Sequence, residues 1–147
     1  MKVKRVRWRA MAILASVSIA FLAGVAVGQE KKIDARIYEL RTYTTAPGRL
    51  PALQKLFAEH TMRFFEKHGM KNGLHWIPTD EARKDNTLIY FLVHESQEAA
   101  DRNWKAFQAD PEWIKAREAT LADGKLLEKA ERVFMRLADF SPAREMR

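Results

Sequence analysis

The chain has 147 residues, 47% of them hydrophobic and 31% charged, which predicts a single folded domain with a core of its own. It contains no cysteine, and this excludes a disulfide framework, a thiolate zinc site, an iron–sulfur cluster and a cysteine nucleophile. The formal net charge of +7 does not indicate a nucleic-acid partner, because residues 1–28 hold five of the basic side chains and the remainder has 21 basic against 19 acidic ones.

The first 28 residues have the order of segments that is typical of a secretory signal peptide. Positions 2–9 are rich in Lys and Arg, residues 10–29 carry no charge, and the small residues Ala26-Val27-Gly28 end the run. We expect cleavage before Gln29, a mature domain over residues 29–147, and a periplasmic or extracellular location. An uncleaved anchor is the alternative, because the uncharged run approaches the length that crosses a bilayer. A membrane partner is expected only in that case.

The first half of the mature chain predicts a strand, a helix and a second strand. Large and polar side chains alternate over residues 36–43, as they do in a strand. Apolar residues then recur at helical spacing over residues 50–66, and Pro51 stands in the first turn, where its missing N–H costs nothing. A short strand over residues 72–78 follows the glycine that ends this helix.

The second half predicts a buried strand, two helical segments and a last strand. Residues 87–94 are the most apolar and β-prone run of the chain. Ser96 and the Asp110-Pro111 pair are typical starts of helices, and residues 132–137 are predicted to form the last strand. The resulting order, β-α-β-β-α-β, is that of the α+β ferredoxin-like fold.

The helices of such a fold cover one face of the sheet, so the faces must be assigned. We expect the helices to pack on the side of Tyr38, Leu40, Val133 and Met135, because that side is the more apolar. The opposite side mixes aromatic, apolar and charged residues. A second copy of the sheet is expected to cover it, giving a homodimer with an enclosed, partly polar cavity.

Two blocks of sequence carry a family resemblance: YELRTYTTAPGRL, which begins at Tyr38, and RNWKAFQADPEW, which begins at Arg102. They resemble the NIPSNAP family, and the resemblance covers nearly all of residues 35–140. It implies a dimeric α/β barrel, the fold shared with cofactor-free and haem-degrading monooxygenases. Bacterial members largely lack an assigned reaction, so the resemblance implies the fold rather than the activity. The export signal and the single domain distinguish this chain from mitochondrial members, whose partners are therefore not carried over.

The charged residues of the mixed face are the first candidates for a ligand site. Glu39 and Arg41 share one side of the first strand, and the last strand is expected to bring Arg132 or Arg136 opposite Glu39. A carboxylate in a cavity moves a proton or holds a ligand. A structural ion pair that fixes the register of the strands is the commoner interpretation.

Aromatic residues and one histidine complete the set of candidates. His75 and Trp76 are adjacent on a strand and must face opposite sides, and the sequence does not say which side each takes. A histidine beside Tyr43 or Tyr90 suits acid–base chemistry, and a tryptophan suits stacking, although a core role for Trp76 is commoner. The candidates that line the predicted cavity are therefore Glu39, Arg41, Tyr43, His75, Trp76, Tyr90, Phe134 and Arg136.

No catalytic residue is assigned by motif. The chain lacks GxGxxG, GxxxxGK, GxSxG and metal-binding histidine motifs, so we predict no cofactor and no metal. Two functions stay open. One is a homodimeric module that binds a small apolar or aromatic ligand or a protein. The other is a cofactor-independent monooxygenase or isomerase that acts on a small aromatic or lipid-like molecule.

Overall fold

A computed structural model describes residues 36–141 of the chain. The predicted signal peptide, its cleavage site and the start of the mature domain lie outside the described residues. The elements follow in the order β1 (Ile37–Thr45), α1 (Leu50–Leu56), a π-helical turn (Phe57–Thr61), α2 (Met62–Lys67), β2 (Lys71–Trp76), β3 (Thr87–His94), α3 (Gln97–Gln108), α4 (Pro111–Leu121) and β4 (Leu127–Met135). Within residues 36–141, no helix has both the length and the apolarity needed to cross a membrane.

The four strands form one antiparallel sheet in the order β2-β3-β1-β4. The predicted β-α-β-β-α-β order and the ferredoxin-like α+β fold are confirmed. The last strand lies beside the first, as expected, but the residue opposite Glu39 is Phe134 rather than an arginine. Arg132 lies instead opposite Arg41.

Local signals placed most of the elements correctly. β3 has the predicted bounds. The Ser96 hydroxyl accepts a hydrogen bond from the Ala99 N–H, and the Asp110 carboxylate accepts from the N–H groups of Glu112 and Trp113, so both predicted helix caps are confirmed. The last strand begins at Leu127, five residues before the prediction of residues 132–137. Most of β4 is exposed on both faces, so its sequence lacks the apolar alternation that marks a half-buried strand.

The predicted helix over residues 50–66 contains a π-helical turn that the sequence did not reveal. The Thr61 hydroxyl donates to the Leu56 carbonyl, five residues earlier, and Thr61 is buried. A π turn adds a residue to the helical repeat and is often found beside functional sites. Here it places Phe57 in the core, in ring contact with the tyrosines of the sheet.

The predicted assignment of the sheet faces is wrong. Glu39, Arg41 and Tyr43 face the helices, since the Trp104 indole of α3 donates to Glu39 and Phe57 packs against Tyr43. No helix within residues 36–141 covers the side of Leu40 and Val133, which we call the open face. The prediction ranked the faces by polarity, but charged groups that bond to one another can be buried under helices.

Candidate functional site

A layer of polar side chains lies between the sheet and the helices. Three neighbouring positions form a row across the sheet, with His75 opposite Tyr90 and Tyr90 opposite Arg41. Further polar residues of β1 and β3 flank this row. We call this set the polar layer; its members are Glu39, Arg41, Tyr43, His75, Tyr90 and His94.

Glu39 is the anchor of the polar layer. It has no exposed surface, and its Oε2 accepts from the Trp104 Nε1 at 2.6 Å and from the His94 Nε2 at 2.9 Å. Its Oε1 accepts from the Arg41 Nη1 at 3.0 Å. Burial works to raise the pKa of Glu39, but the hydrogen bonds from His94 and Trp104 and the charge of Arg41 outweigh it and lower that pKa. The carboxylate is therefore ionised, and both of its oxygens are engaged.

Arg41 lies between two aromatic rings. Its guanidinium carbon is 4.4 Å from the ring centre of Trp104 and 5.4 Å from that of Tyr43. Its Nη2 donates to the Tyr43 hydroxyl at 3.0 Å. Burial opposes the charge, yet the oxygens of Tyr43, Tyr90 and Glu39 raise the pKa of Arg41 above its usual value. The guanidinium stays charged, and its buried Nε–H has no hydrogen-bond partner among the described residues.

His75 and Tyr90 form a stacked pair. Their ring centres are 5.3 Å apart and their planes differ by 6°. Neither the Tyr90 hydroxyl nor the His75 Nε2 has a partner of hydrogen-bond geometry among residues 36–141. Burial raises the pKa of the Tyr90 hydroxyl well above its ordinary value, and burial lowers the pKa of His75. At neutral pH the phenol is protonated and the imidazole is uncharged.

Aromatic side chains of the helices form a roof over the polar layer. Phe57 lies 5.1 Å from Tyr90 and 5.9 Å from His75, measured between ring centres. Phe65 lies 6.0 Å from Tyr90, and Trp104 contacts Phe65 at 5.4 Å. The roof therefore presents ring faces and edges to a row of polar groups, a combination that suits a ligand with an aromatic body and a polar substituent.

The NIPSNAP family model matches residues 38–142. The chain belongs to the NIPSNAP family. Three solved structures from bacteria are similar to it. An uncharacterized NIPSNAP domain protein from Burkholderia xenovorans has 19% identity and a TM-score of 0.61, over 72% of this chain and 98% of that one. A NIPSNAP family protein of unknown function from Agrobacterium tumefaciens has 25% identity and a TM-score of 0.61, over 73% and 92%. A second NIPSNAP family protein from Agrobacterium tumefaciens has 18% identity and a TM-score of 0.64, over 74% and 99%.

These similarities confirm the resemblance and the fold predicted from the sequence. No curated protein matches the chain. Family membership therefore gives the fold of this NIPSNAP domain but no reaction.

The structure brings together five of the eight candidate residues in the polar layer: Glu39, Arg41, Tyr43, His75 and Tyr90. Phe134 lies on the same face of the sheet, on β4, and is half-buried. Arg136 follows the end of β4 and is exposed. The space predicted to hold all eight, between two sheets, is not where these five lie.

Trp76 lies on the open face of this NIPSNAP domain, so the prediction of a core role for it is wrong. It is 44% exposed and stacks on Phe91 at 5.7 Å. A β-bulge decides the orientation of β2: Asn72 pairs with Leu92 and His75 with Tyr90, so three residues of β2 span two of β3. Gly73 lies in the bulge, where the Phe91 ring occupies the place of a side chain.

Sequence reasoning missed two members of the site. His94 shares the parity of Tyr90 on β3, so strand alternation was a usable signal for it. Trp104 is not among the eight candidates, but its indole N–H donates to Glu39 and so connects α3 to the polar layer. Nothing in the local sequence indicated that partner, because the two residues lie 65 positions apart.

A groove of about 610 Å³ runs between α1, the π turn and α4, and none of its lining residues belongs to the polar layer. Its acids, Glu59, Glu112 and Asp123, each have a basic neighbour within 4.0 Å, so it shows no clear charge preference. Within the described residues, no three His, Asp or Glu side chains are grouped as a metal site.

Proposed function

We propose that this NIPSNAP protein is an exported, homodimeric domain that binds a small aromatic or apolar ligand against the polar layer. The observation that carries the proposal is a concentration of buried polar atoms without partners: the Arg41 Nε, the Tyr90 hydroxyl, the His75 Nε2 and the His94 Nδ1. Such atoms are rare in proteins, and each costs about 1–3 kcal/mol when left unpaired. A ligand with a polar group offsets that cost.

The aromatic roof supports the apolar part of this proposal. Phe57 and Phe65 lie within 6.0 Å of Tyr90, measured between ring centres, and Trp104 contacts Phe65 at 5.4 Å. Aromatic pairs at these distances add about 0.5–1.5 kcal/mol beyond area burial. A planar ligand that enters between roof and sheet must part these ring contacts, and it replaces them with ring contacts of its own.

The open face supports the homodimer. Leu74, Trp76, Val133 and Met135 are between 39% and 61% exposed on this face, beside Leu40 and Phe91. Soluble monomers rarely expose a continuous apolar patch of this kind. The same face of a second copy is self-complementary about a twofold axis. This moves the predicted interface from the side of Tyr43 and Phe134 to the opposite side of the sheet.

Export is supported by the sequence alone. The basic start, the uncharged run and the small residues before Gln29 are the features that a secretory signal requires. Intact mass of the protein recovered from a bacterial periplasm tests this part of the proposal. A mass that begins at Gln29 is expected, and full-length protein held in the membrane fraction contradicts cleavage.

One observation favours enzymatic turnover as the second candidate. His75 is uncharged, partly buried and free at Nε2 among the described residues, so it is available to accept a proton from a bound ligand. Such a general base would serve a cofactor-independent oxygenation or isomerisation that begins with loss of a proton from the ligand. Consumption of oxygen or rearrangement of a bound ligand, lost in His75→Phe, tests this candidate.

Tyr90→Phe and Tyr43→Phe form a matched test of ligand binding. The Tyr90 hydroxyl makes no hydrogen bond of good geometry within residues 36–141, although Tyr43 and Arg41 lie near it. Its removal is therefore expected to change the melting temperature little, while ligand-induced stabilisation falls. The Tyr43 hydroxyl accepts from Arg41, so its removal is expected to lower the melting temperature. Thermal melts with a panel of small aromatic and fatty compounds give both readouts. If no compound of the panel binds, or if a compound stabilises Tyr90→Phe as much as the parent protein, the proposed site is contradicted.

A further inference from the structure

The polar layer opens toward solvent at β4. The helices leave the near side of this strand uncovered, so Ala130 and Arg132 are exposed there and Phe134 is half-buried. We call these three residues the shelf. Arg132 is paired with Arg41, which is paired with Tyr90, so the row of the polar layer continues onto the shelf without interruption. Along that row the side chain changes from 49% exposed at Arg132 to fully buried at Tyr90.

Two arginines therefore lie opposite each other on neighbouring strands, an arrangement that is unfavourable unless negative charge is close to both. Glu39 balances Arg41 at 3.0 Å, but both of its oxygens are already engaged. The acid beside Arg132 is Asp101 at 3.9 Å, and about half of each side chain is exposed. Solvent screens such a pair, so it compensates Arg132 only weakly.

The donors left over at this junction are suited to an oxyanion. The Arg41 Nε–H is buried without an acceptor among the described residues, the Tyr90 hydroxyl is a protonated donor, and Arg132 supplies a second guanidinium. Guanidinium groups bind carboxylates through planar, charge-assisted hydrogen bonds. The nearby charges of Glu39 and Asp101 favour a ligand with one negative charge over a dianion such as a phosphate ester.

We propose that the ligand of the polar layer is an aromatic carboxylate that enters over the shelf, with its carboxylate held between Arg41 and Arg132 and its ring against Phe134 and the aromatic roof. This inference rests on the proposed ligand-binding function and names the chemical class of the ligand. Arg132 then favours negatively charged ligands at the entrance, and Arg41 and Tyr90 bind the carboxylate deeper in the polar layer.

Binding of 2-naphthoate and of its neutral isostere 2-naphthamide to the purified protein tests the inference, with titration calorimetry as the measurement. We expect naphthoate to bind at least about tenfold more tightly, the effect of one charge-assisted hydrogen bond. Arg132→Gln is expected to remove about tenfold of that preference without loss of folding, because the side chain is half-exposed. Arg117→Gln, an exposed arginine of α4, makes the same change in net charge and is expected to leave binding unchanged.

Arg41→Lys provides a second variant that keeps the charge but removes the Nε–H. Weaker naphthoate binding with an unchanged naphthamide affinity supports the inference. Equal affinity for the two probes, or an Arg132→Gln protein that behaves like Arg117→Gln, overturns it. If a neutral compound of the wider panel binds and neither probe displaces it, the proposed ligand-binding function stands. The assignment of the ligand to the carboxylates is then wrong. Failure of every compound in the panel counts against the proposed function itself.

Discussion

The two faces of this sheet reverse the usual relation between polarity and burial. The helix-covered face buries Glu39, Arg41 and His94, while the open face exposes Leu74 and Val133. Burial of the charged face is possible because each charge of Glu39 and Arg41 meets a partner within 3.0 Å and an aromatic ring. A face that carries charges can therefore lie under the helices when those charges are paired with one another, as Glu39 and Arg41 are.

The largest effect is expected from removing the anchor of the covered face. Glu39→Gln leaves the buried Arg41 guanidinium without its counter-charge, and we expect the free energy of unfolding to fall by about 3 kcal/mol. Glu128→Gln removes an exposed partner of Lys125 and is expected to change stability by less than about 0.5 kcal/mol. Denaturant unfolding of both variants measures the difference. A Glu39→Gln protein as stable as Glu128→Gln contradicts the structural role of the carboxylate.

A charge on the open face is expected to act on association instead. Val133→Lys places an ammonium group in the apolar patch, so we expect the dimer to dissociate with at least about a hundredfold weaker affinity and the monomer to stay folded. Ala130→Lys, on the other side of the same strand, is the control and is expected to leave association intact. Light scattering over a dilution series is the measurement. A parent protein that is monomeric at micromolar concentration rules out the proposed interface.

The bulge of β2 sets which face of the sheet His75 and Trp76 take, and Gly73 is the position in it where an added side chain is expected to clash. A methyl group there overlaps the Phe91 ring, so Gly73→Ala is expected to cost about 1–3 kcal/mol of stability. Phe91→Leu in the same chain makes room, and we expect it to recover part of that loss. A double-mutant cycle by thermal unfolding gives the coupling. Additive effects of the two changes indicate that the ring does not restrict this position.

The smallest effect is expected from low pH, through the contacts of Asp110, which lie away from both faces of the sheet. Hydrogen bonds from Lys67 and His68, both at 2.8 Å, hold the pKa of Asp110 below its ordinary 3.8. A lowered folded-state pKa adds stability that is present above the unfolded value and is lost as the pH falls through the folded one. We therefore expect the melting temperature to fall below about pH 4, and to fall less steeply in Asp110→Asn. Asp85→Asn, in the exposed β2–β3 connection, is the control and is expected to keep the parent's acid profile.

Most of the elements were predictable because their signals are local. The apolar run of β3 gave its bounds, and the caps at Ser96 and Asp110 were set by side chains that bond within three residues. The family resemblance also depended on short strings of residues, and the family model confirms it over residues 38–142. Alternation along β1 and pairing with β3 place Glu39, Arg41, Tyr43 and Tyr90 on one face, although the prediction put them in a space between two sheets rather than under the helices.

The rest depended on partners that are distant in the sequence. The covered face depended on contacts such as the hydrogen bond from the Trp104 indole to Glu39, which lies 65 positions away in the sequence. The orientation of His75 depended on a bulge that forms only when β2 pairs with β3. The π turn that brings Phe57 over Tyr90 depends likewise on packing between helix and sheet. Hydrophobic period and caps act over a few residues, so most strands and helices, and their order, follow from the amino-acid sequence. The choice of the buried face needs the whole fold, because a charge can leave water only where the fold supplies its partners.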